Sequence, residues 1–189
     1  KIVDPDEAEQ LRSRCHGNEA IVISVKETEK KVKAPKLYDL TTLQREANRI
    51  YGMTAKQTLD TAQSLYEKKL ITYPRTDSQY LTEDMEQTAR NVVRQIYEKY
   101  QLTGPFDQPE QPDVKKVMNN SKVTDHHAII PTMELASSHL DELKSWEEKI
   151  LFLIAVHTVM AMSKDHIYQE TEIEVECQGE IFKAKGKTV

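Results

Sequence analysis

Asp39-Leu40-Thr41-Thr42-Leu43-Gln44-Arg45-Glu46-Ala47-Asn48-Arg49-Ile50-Tyr51-Gly52-Met53-Thr54, continued by Ala55 to Tyr66, is the part of the chain from which its architecture is read. Leu40, Leu43, Ala47 and Ile50 recur at helical spacing. Asp39 or Thr41 serves as the N-cap and Gly52 as the C-terminal stop. Thr54 then caps a second helix that carries Leu59, Ala62, Leu65 and Tyr66 on one broad face. Two helices joined by a tight glycine-containing turn make a helix-turn-helix pattern.

Outward from this pair the middle of the chain stays helical. Leu70-Ile71-Thr72-Tyr73 reads as a short apolar strand ended by Pro74, and a third helix is predicted from about Thr82 to Tyr100, with Glu83, Asp84 and Glu86 at its positive end. Gly104 to Pro112 reads as a Pro- and Gln-rich loop. The last helix opens on Ser145-Trp146-Glu147-Glu148, a capping box. It is apolar almost all round through Met162 and is expected to be the central buried helix.

Both ends read as β. Ala20 to Val25 is β-branched. Thr171, Ile173, Val175 and Cys177 alternate with Glu170, Glu172, Glu174 and Glu176, the period of a half-buried strand. Gln178-Gly179 then turns the chain into Glu180 to Lys185. The fold class is therefore mainly α with flanking β. Residues 1–36 and 167–189 supply β segments, and 37–166 form a helical domain inserted between them. Lys30 to Pro35 is the expected outward connector and Lys164 to His166 the return.

A chain of 189 residues is one ordinary domain, or one compact domain with a minor partner. The net charge of −5 excludes a generic cationic nucleic-acid binder but leaves room for a local basic groove. Charge is uneven: residues 37–75 carry +2 and residues 76–166 carry −6. Two cysteines, Cys15 and Cys177, give neither a disulfide framework nor a four-ligand zinc set. The longest apolar run, Ile150 to Val156, is far short of the roughly 20 residues of a membrane span. No leader is visible at Lys1, and the chain stops just after a strand-like alternation. A cytoplasmic protein cut from a longer polypeptide is the expectation.

The chemistry-bearing segment is Ile71-Thr72-Tyr73-Pro74-Arg75-Thr76-Asp77-Ser78. In an extended segment positions 73 and 75 point to the same side. A phenol is a weak nucleophile at its free pKa of about 10, and a nearby cation favours its ionised form. Arginine matches phosphate oxygens bidentately. The pair suits attack on a phosphodiester, with one activated oxygen and one clamp for developing charge. Chance proximity of Tyr and Arg in a loop is the plainer reading. A second cluster, Thr124-Asp125-His126-His127-Ala128-Ile129-Ile130-Pro131-Thr132, offers proton transfer or phosphate binding by one imidazole, or only a pair of loop histidines with one packed. His16, His139, His157 and His166 show no metal-ligand spacing.

Leu37 to Asn48, Ala62 to Glu67, Ile71 to Ser78 and Asp125 to Thr132, in this order, resemble type IA DNA topoisomerases. The wording of residues 37–49 and 125–132 is closer to the bacterial topoisomerase III branch than to topoisomerase I. The resemblance implies a CAP-like helix-turn-helix active-site domain inserted between strands of a β-rich arch. It implies that Tyr73 attacks single-stranded DNA, forms a 5′-phosphotyrosine link and releases a 3′-hydroxyl, so that a strand passes and the break reseals without ATP. Arg75 would hold the scissile phosphate and His126 would contact or position it. Thr41, Thr42, Gln44 and Arg45 at the first helix's start, together with Asp77, Ser78, His127 and Thr132, would contact DNA or order the loops. No residue is assigned to metal. Magnesium would belong to an acidic domain for which this chain has no candidate, so the chain alone would be inactive. The expected partners are single-stranded DNA and the remaining domains of the same polypeptide, with no membrane and a monomeric state. The competing readings are a non-catalytic helix-turn-helix DNA-binding module, which would need exposed cations on the second helix, and a structural or partner-binding helical domain.

Overall fold

The computed structural model describes residues 2–102 and 112–189. The loop expected at Gly104–Pro112 therefore lies, Pro112 excepted, outside the described residues. The chain divides into two compact units. One joins the residues up to Lys33 with Asp165–Val189, and the other is Ala34–Lys164.

The end unit holds helix α1 (Pro5–Cys15) and strands β1 (Ile21–Val32), β2 (His166–Cys177) and β3 (Glu180–Thr188). The sequence reading did not anticipate α1. Its local marks are an Asp4 N-cap, whose carboxylate accepts from the Asp6 amide at 3.0 Å, and Pro5 in the first turn. The sheet order is β1-β2-β3, antiparallel throughout, with Val32 opposite His166 and Cys177 opposite Glu180. The turn between β2 and β3 has φ of 53° at Gln178 and 81° at Gly179, the paired positive values of a two-residue hairpin turn. β1 continues to Val32, so the expected connector starting at Lys30 is strand in its first part. The alternation in β2 does not split into a buried and an exposed face, since residues 171–176 are all half-buried. β2 is the central strand, paired along both edges by β1 and β3. Charged rungs cross these edges. Lys183 meets Glu174, Lys185 lies 2.7 Å from Glu172, and Lys30 lies 3.8 Å from Glu170.

The middle unit is built from α2 (Leu40–Tyr51), α3 (Ala55–Glu67), α4 (Glu86–Tyr100) and α5 (Ser145–Ala161). Asp39 is the N-cap of α2. Its carboxylate accepts from the Thr42 amide at 2.7 Å while the Thr42 hydroxyl accepts from the Asp39 amide at 3.1 Å. Gly52 ends α2 at φ 68°, and Thr54 opens α3 in a reciprocal box with Gln57. The glycine is needed here because an L side chain in that conformation is strained by about 1–2 kcal/mol. The expected start of the third helix at Thr82 is a 3-10 turn, Glu83–Met85, and the α-helix begins at Glu86.

α5 packs against α2, α3 and α4 and contributes Ile150, Leu151, Ile154 and Ala155 to the core. Each fully buried Leu or Ile is worth about 1.5–3 kcal/mol relative to exposure. The helix is not buried all round: Trp146, Phe152 and Met160 are exposed. Its N-cap is Lys144, not Ser145, because the Glu147 carboxylate reaches back to the Lys144 amide at 2.9 Å. Glu147 is 3% exposed and also accepts from Ser64 and from the Lys68 ammonium, each at 2.7 Å. Burial opposes its ionisation, but these three donors outweigh it and hold the carboxyl down at about 2.

Candidate active site

The loop after α3 is aimed by the way that helix ends. Lys68 is the C-cap and Lys69 adopts φ 61°. The Leu70 amide donates to Leu65 O at 2.9 Å and the Lys69 amide to Tyr66 O at 2.8 Å, the two bonds of a Schellman motif. The chain reverses, Leu70 and Ile71 enter the core, and Tyr73 returns beside the last turn of α3. There is no strand at Leu70–Tyr73. Only an isolated antiparallel bridge joins Ile71 to Pro131. The apolar pair is buried by tertiary packing, and the Thr72 amide donates to Ile130 O at 3.0 Å.

Two threonines stitch this loop to the histidine segment some fifty residues on. On one side of Tyr73, the Thr72 hydroxyl donates to Ala128 O at 2.9 Å and accepts from the Ile130 amide at 3.0 Å. On the other, the buried Thr76 hydroxyl donates to His126 O at 2.9 Å and accepts from the Ser78 amide at 3.1 Å. The Ala128 amide donates to Tyr80 O at 2.9 Å, and the Leu40 amide at the start of α2 donates to Thr76 O at 3.0 Å. Two distant pieces of chain, the 126–130 segment and the start of α2, thus hold the segment from Thr72 to Tyr80.

Between the stitches the Tyr73 ring lies 4.4 Å from the His126 ring, tilted by 48°, and 5.3 Å edge-on from Tyr66. Tyr73 is half-buried, while Arg75 and His126 are exposed. Arg75 makes no hydrogen bond or ion pair with any described residue, so its guanidinium is open to an incoming anion. Two other phenols of the unit are poorly placed for attack. Burial first, with the Glu46 charge second, pushes the Tyr38 phenol well up, and burial with Glu148 pushes Tyr100 up to about 12. Tyr38 is packed flat on His157, ring to ring at 3.7 Å, and burial lowers the pKa of that imidazole.

The remaining residues expected at the site divide by what they touch. Thr41, Arg45 and Asp77 are exposed and have no hydrogen-bond partner among the described residues. Thr42 is spent on the Asp39 box. The Gln44 amide donates to Ala55 O at 3.0 Å and fastens α2 to the start of α3. Ser78 is buried and donates to Lys122 O at 2.8 Å. His127 Nδ1 is bonded to Ala128 O at 2.9 Å, and the Thr132 hydroxyl to Lys69 O. These five hydroxyls, amides and rings are engaged inside the protein, which places them as organisers of the loops. Sequence reading missed Tyr66, Thr72 and Thr76 as parts of the site. Tyr66 was expected on the apolar face of α3 but is 39% exposed against Tyr73. Of the cations on and just after α3, Lys56 pairs with Asp60 at 2.6 Å and Lys68 with Glu147, while Lys69 is exposed. Among the described residues no group of three or more His, Cys, Asp or Glu is arranged to hold a metal ion, and no helix is long and apolar enough to cross a membrane.

Comparison with known proteins reaches the same place. A family model described as DNA topoisomerase matches residues 1–189. A protein named DNA topoisomerase 3 from Bacillus subtilis is 41% identical over 192 residues, covering 100% of this chain and 26% of its own length. The protein of the same name from Staphylococcus saprophyticus is 35% identical, covering 95% of this chain and 25% of its own length. A solved structure of full-length topoisomerase I from Thermotoga maritima superposes with a TM-score of 0.68 at 27% identity, over 99% of this chain and 30% of that one. The chain thus spans about a quarter of the length of these curated relatives.

Proposed function

Since this chain belongs to the DNA topoisomerase family, we propose that it carries the nucleophilic part of a type IA enzyme, with Tyr73 as the attacking residue. The observation that supports this most is the juxtaposition of the Tyr73 and His126 rings at 4.4 Å on loops pinned by Thr72 and Thr76, with Arg75 exposed two residues on from Tyr73 and unpaired among the described residues. The Tyr73 oxygen, having given up its proton, attacks a phosphorus of single-stranded DNA. The P–O3′ bond breaks and the 3′ oxygen takes a proton to become a hydroxyl, leaving the 5′-phosphate esterified to the tyrosine. One phosphate ester is exchanged for another of similar energy, so the reverse attack reseals the strand without ATP after a second strand has passed. Arg75 clamps the non-bridging oxygens as charge builds, and His126 contacts the same phosphate or holds the Tyr73 ring in line. Thr41 and Arg45 are the members of the wider set with exposed donors left to meet the DNA backbone, while the exposed Asp77 carboxylate would be repelled by phosphate.

The described residues do not fit a magnesium site, so no step here runs through a metal. We assign that requirement to residues beyond this chain. The middle unit is on this reading the CAP-like active-site domain, and the end unit supplies strands of the arch into which it is inserted. The enzyme works as a monomer in the cytoplasm, completed by the remaining domains of its own polypeptide. The 189-residue chain alone binds single strands weakly and does not relax supercoils.

The test uses a 3′-labelled single-stranded oligonucleotide and the complete polypeptide that contains this chain. Denaturing gels show a labelled protein adduct for the native sequence and none for Tyr73→Phe. An adduct of undiminished yield in Tyr73→Phe refutes the assignment. The second reading, a non-catalytic helix-turn-helix module, forms no adduct in either case, and the pairing of Lys56 and Lys68 with carboxylates counts against it.

A further inference from the structure

Lys36, Tyr80 and Lys122 are far apart in sequence and meet at one ring. The Lys36 Nζ lies 5.6 Å and the Lys122 Nζ 5.0 Å from the Tyr80 centroid. Both lysines are exposed, and neither forms an ion pair with a described residue. Some lysines of the same unit are ion-paired, Lys56 with Asp60, Lys68 with Glu147 and Lys116 with Asp113, and what sets Lys36 and Lys122 apart is that they share one ring. The Tyr80 hydroxyl likewise bonds to no described residue.

The cluster is held from behind. Lys36 O accepts from His157 Nε2 at 2.7 Å, and Lys122 O accepts from Ser78 Oγ at 2.8 Å. The Tyr80 amide donates to Ser78 Oγ at 3.1 Å, and Tyr80 O accepts from the Ala128 amide at 2.9 Å. The ring is therefore fixed to both the Tyr73 loop and the His126 segment. Both ammoniums lie within the range at which an aromatic face attracts a cation, and that attraction offsets part of their mutual repulsion. Two uncompensated cations and a free phenolic donor, drawn together at little cost, are suited to one anion with several oxygens.

We propose that Lys36, Lys122 and the Tyr80 hydroxyl form a second seat for a backbone phosphodiester of single-stranded DNA, flanking the phosphate addressed by Tyr73 and Arg75. The seat rests on the topoisomerase reading and extends it. It touches backbone only, so it fixes the strand's register without reading bases. Lysine acts here as a point charge, which tolerates the changing orientation of successive phosphates.

The test measures fluorescence anisotropy of a labelled oligothymidylate titrated with the complete polypeptide that contains this chain over a salt series starting low. Each neutralised phosphate of a single strand contributes about 0.7 to the slope of log affinity against log salt. The double variant Lys36→Gln/Lys122→Gln is expected to lose about tenfold in affinity at low salt and to flatten the slope by about 0.7–1.4. Tyr80→Phe loses about twofold, as one hydrogen bond to a charged phosphate is removed. Lys56→Gln, whose lysine already has a carboxylate partner, leaves the slope unchanged, and thermal melts confirm that each variant is folded. A double variant with native affinity and slope, alongside a weakened Arg75→Ala, overturns the second seat and leaves the topoisomerase reading standing. A native polypeptide with no salt-dependent binding to the oligonucleotide takes both away.

Discussion

The two units of this chain are stabilised by different means. In the middle unit, leucines and isoleucines from four helices and from the loops at Leu37, Ile71, Ile129 and Leu135 are almost wholly removed from water. In the end unit, Ile21, Val22, Ile23 and Val25 are each more than half exposed, and order comes from the backbone ladder and from charged rungs such as Lys185–Glu172. Exposed pairs of this kind are worth about 0–1 kcal/mol each. The candidate site lies in the unit whose packing can hold a loop to a fixed shape. The proposed role of Tyr73 needs that, because small displacements of a nucleophile are costly.

The contrast can be broken by substitution. Ile154→Ala, at a site with no exposure, is expected to lower unfolding free energy by about 3–4 kcal/mol in chemical denaturation. A loss below 1 kcal/mol would dissolve the distinction. Glu147→Ala strands the Ser64 hydroxyl, the Lys68 ammonium and the Lys144 amide, and is expected to cost about 2–3 kcal/mol. The same carboxyl makes the middle unit sensitive to acid. Its folded pKa of about 2 lies below the ordinary 4.5, so its contribution of about 3 kcal/mol is complete above pH 4.5 and fades as the pH falls toward 2. Melts across that range should show the native chain converging on Glu147→Ala. Thr76→Val keeps the shape but removes the bond to His126 O and the acceptor for the Ser78 amide. It is expected to cost about 1–2 kcal/mol and to slow adduct formation in the complete polypeptide more than it alters the fold. At Lys69, held at φ 61°, glycine is expected to raise stability by about 0.5–1 kcal/mol. Smallest of all, Val25→Ala on the exposed sheet should change stability by less than about 0.5 kcal/mol.

What could be read from the sequence was local. The limits of α2 and α3 follow from Asp39, Gly52 and Thr54, whose roles depend on neighbours three or four residues away. The hairpin at Gln178-Gly179 is set by its own dihedrals. Period-2 alternation placed β2, but not its burial, which depends on what lies over each face. Leu70–Tyr73 looked like a strand because apolar burial and strand pairing leave the same short pattern. At the site, Tyr73, Arg75 and His126 stood out by residue type and resemblance. Thr72 and Thr76 did not, since a threonine that bridges fifty residues looks like any loop threonine until its partner is known. Ser78, Gln44 and Thr132 carry polar groups that suit DNA, yet internal acceptors claim them first.

The threonine stitches on either side of Tyr73 bear on how a severed strand would be handled. On the proposed function, a DNA end esterified to this phenol would be mounted on a loop fastened on both sides to the 126–130 segment of its own unit. Opening a gap wide enough for another duplex or strand would then fall to hinges elsewhere, with the whole helical unit travelling as the handle and the broken end kept in alignment for its return.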